Sequence, residues 1–204
     1  MKKLSTLLFL VFALSVTSLA QPTVTLLTFE SYSFSDRVVT SNGYEGEIGD
    51  GFQFGGGFEF GLQETMAVEL IYQRLNTTGY IQYPLSRDQG NVAVNYFMLG
   101  GTRYMPVNEK ISGFGTVDLG LGVLGSPDNS SDENTEKFAW GLRLGVRIAA
   151  SEKVSLRLHG QMMSAVQAMG GGLYFGTGGA GAGISGYSTF YQFNLGGSLN
   201  FRLK

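Results

Sequence analysis

Residues that could do acid, base or ion-pair chemistry alternate with glycine and large apolar residues along this chain. Glu59 lies in FQFGGGFEFGL (52–62), and Glu69 lies in MAVELIY (66–72). In both stretches Phe, Leu, Met or Val occupy every second position, so the carboxylate falls on the opposite face of an extended chain. The other candidate residues on such faces are Arg103, Asp118, Arg143, Arg147, Arg157, His159 and Arg202.

Glu59 and Glu69 would lie side by side if their segments formed a hairpin around 63–65. Two adjacent carboxylates in a confined space need nearby cations, or one of them holds a proton. Arg103, Arg147 and Arg157 fall near the ends of their segments at about one height, as does Arg202. These groups could form a gate or a selective filter, or a static ion-pair network. We favour the network, because buried charges must be paired.

Catalytic chemistry has little support in the sequence. The single histidine, His159, is followed by Gly160 and Gln161 and lacks the His-x-Ser arrangement of lipid A deacylases. There is no cysteine, and a metal site would need more nitrogen or sulfur ligands than the chain offers. Oxygen-only calcium binding by Asp128, Asp132 and Glu133 stays open. We therefore predict no enzymatic activity, no cofactor and no metal.

A glycine-rich segment near the C-terminus formally contains a nucleotide-binding pattern. GTGGAG (176–181) reads G-x-G-x-x-G, but such a site needs a strand before it and a helix after it. The segment 170–186 is uncharged and rich in glycine, and it offers no helix. We reject the nucleotide site and predict a loop. This loop either folds over the open end of the folded domain or contacts a hydrophobic ligand, lipopolysaccharide or another surface. The candidate contact residues are Leu173, Tyr174, Phe175 and Ile184.

The N-terminus indicates export. Lys2 and Lys3 precede an apolar run from Leu7 to Leu14, and small residues stand at Ser18 and Ala20. This pattern predicts a signal peptide at 1–20, cleaved after Ala20. The run is shorter than the roughly 20 residues that cross a bilayer as a helix. The remaining chain, 21–204, is predicted to be one domain.

Composition restricts the class of that domain. Only 15% of residues are charged, whereas 31 glycines, 15 Phe and 10 Tyr are present. A soluble lipocalin-like barrel would expose the glycine-rich face, which carries too few charges for a good surface. No basic stripe suggests a nucleic-acid partner. After residue 20 no apolar run could cross a membrane as a helix, so a spanning structure must be a closed β-barrel.

Apolar residues recur at every second position in eight segments of about ten residues, as in transmembrane barrels. The first segment, Val24 to Phe34, is ambiguous in phase. Each of the other seven segments has a predicted outward set. In chain order these are Phe52 to Leu62; Met66 to Tyr72; Val92, Val94, Tyr96, Met98 and Tyr104; Ile111 to Val123, on odd numbers; Phe138 to Ile148; Val154 to Met162; and Tyr187 to Leu203. Gly55, Gly57 and Gly61 would then face a narrow lumen.

Connections between these segments are predicted to alternate in length. Short turns fall at 63–65, 106–109 and 150–152, and long loops at 35–49, 76–90, 125–136 and 164–186. Both termini therefore belong to the side of the short turns. Aromatic residues near segment ends are expected to form girdles at the two membrane interfaces. The girdle residues are Tyr72, Phe138, Trp140 and Tyr191 at one end, and Tyr104 and Phe201 at the other.

The signal, the eight segments, the alternating connections and the final stretch YQFNLGGSLNFRLK (191–204) resemble the small outer-membrane β-barrel proteins of the OmpA and OmpX type. The resemblance implies an all-β, eight-stranded antiparallel up-and-down transmembrane β-barrel with periplasmic termini and extracellular loops. It also implies a monomer that contacts outer-membrane lipid and lipopolysaccharide and is folded by the barrel-assembly machinery. Family members usually end on an aromatic residue, whereas here Arg202, Leu203 and Lys204 follow Phe201. We expect no peptidoglycan-binding domain after the last strand.

Two functional classes remain at the level of sequence. We predict a structural or surface-interaction role, in envelope integrity or adhesion. The alternative is transport of a small or hydrophobic solute, as in OmpW-like barrels or a narrow porin. A continuous lumen, or a lateral opening near Gly120 and Gly122, would favour transport. A lumen blocked by the Glu and Arg residues would favour the structural role.

Overall fold

A computed structural model describes residues 23–39, 45–82, 87–125, 135–166, 172–176, 179–183 and 189–204. The strands are β1 (Val24–Ser33), β2 (Asp36–Val39), β3 (Glu45–Ile48), β4 (Gly51–Gln63), β5 (Met66–Gln82), β6 (Arg87–Pro106), β7 (Ile111–Gly125), β8 (Thr135–Ala149), β9 (Val154–Val166), β10 (Gly172–Gly176), β11 (Gly179–Gly183) and β12 (Thr189–Arg202). Within these ranges no helix is long and apolar enough to cross a membrane. The predicted signal peptide, Asp128, Asp132, Glu133 and Ile184 lie outside the described residues.

Eight of the strands close into an antiparallel barrel. The order is β5, β4, β1, β12, β9, β8, β7 and β6, and β6 pairs back onto β5. The predicted fold class is therefore confirmed. Residues 64–65, 107–110 and 150–153 connect strands at one end, which we call the short-turn end. The start of β1 and the end of β12 lie at this same end, since the Arg202 amide donates to the carbonyl of Lys153 in the 150–153 turn and the Leu203 amide donates to that of Val24.

The opposite end, which we call the long-connection end, contains more strand than the sequence predicts. β5 and β6 stay paired from Met66↔Arg103 to Gln82↔Arg87, so most of the predicted loop 76–90 is strand. The hairpin of β2 and β3 pairs with the part of β5 nearest the long-connection end. The hairpin of β10 and β11 lies against β5, β6 and β7 and contains most of the G-x-G-x-x-G pattern. Polar residues extend these strands because backbone pairing does not depend on side-chain polarity.

Side-chain direction follows the prediction on β4, β5, β7, β8, β9 and β12. Large apolar residues on these strands are exposed on the outer wall, with Phe52 72% and Leu144 57% accessible. The alternating residues turn into the barrel and are buried. Tyr187, part of the predicted outward set of the last strand, lies outside the described residues.

The predicted phase of β6 is wrong. Its predicted outward residues are buried in the lumen, whereas Phe97 and Leu99 are exposed by 52% and 59%. Pairing of Leu99 with Leu70, which faces outward on β5, fixes this phase. The inverted residues are Val92, Val94, Tyr96, Met98 and Tyr104. Tyr104 consequently cannot belong to a girdle on the outer wall.

The structure also resolves the ambiguous phase of β1. Leu27 and Phe29 are buried in the lumen, so Thr28 and Glu30 face outward. Thr28 pairs with Gly56 on β4, and Glu30 pairs with Gly197 on β12. A polar, thinly covered patch therefore interrupts the apolar outer wall where these three strands meet.

The inward glycines of β4 allow two strand backbones to approach closely. A Cβ atom at Gly55 would lie 2.0 Å from the carbonyl oxygen of Tyr72, and one at Gly57 would lie 2.2 Å from that of Leu70. No side chain fits at such distances. The glycines thus permit the tight curvature of a small barrel, in addition to the lumen space that the sequence suggests.

The lumen is filled by side chains in two layers. An apolar layer, interleaved with buried polar side chains such as Gln53, Gln73 and Gln192, extends toward the long-connection end, and an ionisable layer lies nearer the short-turn end. The apolar layer consists of Leu27, Phe29, Ile48, Ile71, Leu75, Val92, Val94, Tyr96, Met98, Leu124, Ala139 and Met163. Every one of these side chains is at most 4% exposed, so the layer leaves little room for solvent.

Candidate functional site

Five ionisable residues from five strands meet inside the barrel, and we call them the charged layer: Glu59 (β4), Glu69 (β5), Asp118 (β7), Arg143 (β8) and Arg157 (β9). All five are buried in the lumen, because each lies on the inward face of its strand. Glu59 and Glu69 are direct cross-strand neighbours in the β4–β5 hairpin. The barrel then brings the two arginines against them from the opposite wall.

Glu69 is the centre of the charged layer. Its side chain is fully buried and accepts hydrogen bonds from both guanidinium groups, at 2.6 Å from Arg143 and 2.8 Å from Arg157. The hydroxyl of Thr102 donates a third hydrogen bond at 2.7 Å. Charge-assisted hydrogen bonds of this kind are the strong ones, and they lock three strands to β5 through one carboxylate.

Glu59 forms a second cluster with Tyr104 and Arg157. The Tyr104 hydroxyl donates to the Glu59 carboxylate, and Arg157 donates to both of them. Arg157 therefore bridges the two adjacent carboxylates and offsets their repulsion. Its guanidinium also lies over the ring of Phe114 at 5.2 Å, which shields it from water.

Asp118 is attached more loosely than the two glutamates. One oxygen lies 3.5 Å from Nη2 of Arg143, and neither oxygen accepts a hydrogen bond from the described residues. Gly100 leaves the space for this carboxylate, since a Cβ there would lie 2.2 Å from Oδ1. Arg143 itself lies over the Phe29 ring at 4.8 Å. Three carboxylates thus face two guanidinium groups within the layer.

The remaining sequence candidates occupy three different places. His159 is buried beside Phe29, with ring centroids 6.2 Å apart, and neither ring nitrogen has a hydrogen-bond partner among the described residues. Arg147 and Arg202 line a cavity at the short-turn end. Arg103 is exposed on the outer wall, so its predicted place in the lumen is wrong. This error follows from the inverted phase of β6. Leu173, Tyr174 and Phe175 lie on β10.

Some residues of the site could not be identified from the sequence. The predicted phase of β6 puts Tyr104 on the wrong face, and no sequence signal marks Thr102 or Thr116, whose hydroxyls are hydrogen-bonded at 2.7 Å. Above the charged layer Gln161 donates to Gln73 at 3.0 Å, and Tyr96 donates to Gln192 at 2.7 Å. The lumen is therefore crossed by polar contacts at more than one height.

The charged layer reaches across the lumen. Arg143 and Arg157 are at most 1% exposed, and their side chains span from one wall to the carboxylates of the other. The wall is also continuous at Gly120 and Gly122, which pair with Met98 and Tyr96 in unbroken register. Among the described residues, no three His, Cys, Asp or Glu side chains are grouped to hold a metal.

Several solved outer-membrane barrels share this fold. Neisserial surface protein A is 10% identical, with a TM-score of 0.63 over 88% of this chain and 97% of that one. OprG from Pseudomonas aeruginosa is 12% identical, with a TM-score of 0.58 over 91% and 99%. AlkL, determined in lipid bilayers, is 12% identical, with a TM-score of 0.54 over 91% and 93%. Neither a family model nor a curated protein sequence matches the chain. The chain thus has the fold of the small eight-stranded outer-membrane β-barrels.

Proposed function

We propose that this protein is an integral outer-membrane barrel that serves as a closed scaffold and presents a surface outside the cell. The observation that carries the proposal is the charged layer, whose buried ion pairs fill the barrel cross-section. A barrel of eight strands has an interior just wide enough for its own side chains. Ion pairs at this position hold the walls together and leave no continuous path for a solute.

The outer wall supports insertion into a membrane. Its strands expose large aliphatic and aromatic side chains in a band that is interrupted at Thr28 and Glu30, and such a surface suits acyl chains better than water. On β5 the outward residues change from Leu70 and Tyr72 to Arg74, Asn76 and Thr78. Arg74 donates to Asn76 at 2.8 Å. We therefore propose that the membrane boundary on β5 lies close to Tyr72 and Arg74.

The surface role is supported by the strands above that boundary. β5 and β6 continue past it, and the β2–β3 hairpin and the β10–β11 hairpin add to the same region. Short turns face the periplasm in bacterial outer-membrane barrels, and we propose the same orientation here, with these hairpins outside the cell. Lipopolysaccharide and a cell or protein surface are the partners that such hairpins would meet. We also propose that the protein is a monomer and has no enzymatic activity.

Transport of a small or hydrophobic solute is the alternative. Transport would need an open lumen or a gap in the wall. The charged layer crosses the lumen, and the described wall has no gap at Gly120 and Gly122. The experiment is a planar-bilayer recording of the refolded barrel, with a known porin as positive control and heat-modified gel migration as proof of folding. We expect no defined channels from the wild type. Stable channels whose selectivity changes in a Glu59→Gln, Glu69→Gln variant would overturn the closed scaffold.

The surface role needs a separate measurement in cells. A strain lacking the protein would be complemented with the full chain or with a chain lacking 172–183, and both would be scored for detergent resistance and for adhesion. We expect the shortened chain to restore detergent resistance and lose adhesion. Equal adhesion by both chains would remove the β10–β11 hairpin from the proposed surface.

A further inference from the structure

A cavity opens at the short-turn end of the barrel, below the charged layer. Its volume is about 380 Å³, and its lining includes Thr25, Glu59, Tyr104, Arg147 and Arg202. A smaller recess of about 50 Å³ shares four of these residues and adds Lys153. We call the two together the basic vestibule. Its inner end is closed by the contacts among Arg157, Glu59 and Tyr104, so it is a blind pocket rather than a channel entrance.

Arg147 is held in the basic vestibule without a carboxylate partner. Its guanidinium lies over the Tyr104 ring at 4.5 Å, and its side chain is half-buried. It makes no ion pair with the described acidic residues. Glu59, the inward carboxylate that lines the same cavity, is already bonded to Arg157 and Tyr104. Arg147 also stands directly opposite Arg157 on β9, so two positive charges are neighbours across the strand pair.

Arg202 brings a second unpaired guanidinium to the same cavity. It occupies an inward position of β12, opposite Thr25, and it forms no ion pair with the described residues. Two carboxylates, Glu64 and Glu152, stand on exposed turns at the rim. Neither of them is bonded to Arg147 or Arg202. Glu59 is neutralised by Arg157, so Arg147 and Arg202 give the vestibule an excess of positive charge, and the other two acidic groups lie at its rim.

Guanidinium groups with free donors that converge on one cavity fit an oxyanion. Each planar guanidinium can donate two parallel hydrogen bonds to a phosphate or carboxylate group. An anion between Arg147 and Arg202 would also offset the repulsion between Arg147 and Arg157. We propose that the basic vestibule binds a phosphate-bearing ligand, with Arg147 and Arg202 as its two contacts. The ligand is either a small soluble phosphate compound or a phospholipid headgroup, which share this chemistry.

The test is a titration of the refolded wild-type barrel with inorganic phosphate in uncharged maltoside micelles, followed by NMR of the arginine side chains and backbone amides. We expect saturable shifts at Arg147, Arg202 and Thr25. Arg147→Gln and Arg202→Gln should each weaken binding at least tenfold. Arg147→Lys, which keeps the charge and loses the planar fork, should weaken it severalfold.

Arg103→Gln is the matched control, because it removes the same charge from the outer wall near the same end. Its affinity for phosphate should equal that of the wild type, and heat-modified migration must show that every variant is folded. Unsaturable shifts in the wild type, or an equal loss in Arg103→Gln, would overturn the site. Displacement of phosphate by phosphatidylglycerol added to the micelles would identify a lipid headgroup as the ligand. Persistence of phosphate binding would identify a soluble one. This test of phosphate binding is independent of whether the barrel conducts ions, since binding is measured without a membrane potential.

Discussion

Substitution of Glu69 by Gln should destabilise the barrel strongly while leaving its shape unchanged. Gln has nearly the same volume as Glu, so no cavity is created. It removes the charge that faces two buried guanidinium groups, at 2.6 Å from Arg143 and 2.8 Å from Arg157. The Gln amide must also point its two donors at one of those groups, where a donor meets a donor.

The magnitude follows from the hydrogen bonds that the substitution removes. At least one charge-assisted hydrogen bond disappears, worth about 1.5–3 kcal/mol. One guanidinium then remains buried with a weakened partner, and breaking a buried ion pair in this way costs about 3–5 kcal/mol in total. The loss of stability is limited, because Arg157 keeps its bond to Glu59 and Arg143 keeps its contact with Asp118. We therefore expect the free energy of unfolding to fall by about 3 kcal/mol, the lower part of that range.

The assay is reversible urea unfolding in micelles, followed by the fluorescence of the single tryptophan, Trp140. Glu109→Gln, on an exposed turn, is the matched control and should change the stability by less than about 0.5 kcal/mol. In a double-mutant cycle, Glu69→Gln combined with Arg143→Gln should cost less than the two single changes together. A loss below about 1 kcal/mol for folded Glu69→Gln would refute our account of the charged layer.

Three further predictions test the wall of the barrel. Gly57→Ala should lower the free energy of unfolding by about 1–3 kcal/mol in the same assay, because its Cβ would meet the Leu70 carbonyl, whereas Gly101→Ala, with open space around it, should be neutral; equal effects would contradict the close approach of β4 and β5. Glu30→Leu should raise the stability in lipid vesicles by on the order of 1 kcal/mol, because a carboxylate on a lipid-facing wall is unfavourable, and Glu109→Leu is its control; no gain would argue that Glu30 does not face lipid. Since the chain lacks cysteine, Leu99→Cys should react with a lipid-soluble maleimide in the folded barrel and Met98→Cys only after unfolding; the reverse order would restore the predicted phase of β6.

Much of the fold could be predicted because its two faces differ in chemistry. On β4 and β8 large apolar residues alternate with glycine or charged residues, so the outward face is read directly from the sequence. On β6 the run VAVNYFML (92–99) is apolar at nearly every position, and parity could not choose a face. A shift of one residue reverses every side chain of a strand. Only the pairing of β6 with β5 and β7 decided the matter, and it moved Arg103 from the lumen to the outer wall.

The sequence by itself determined the class of barrel and the residue types of its interior, because alternation and a shortage of charge permit few other structures. The tertiary structure alone decided which charges meet. Glu69 lies 74 residues from Arg143 and 88 from Arg157 along the chain, and only closure of the sheet brings them together. The same closure left Arg147 and Arg202 without carboxylate partners among the described residues. Charges pair only when they are close in space. Strand register and barrel curvature determine that distance, and no local sequence pattern encodes it.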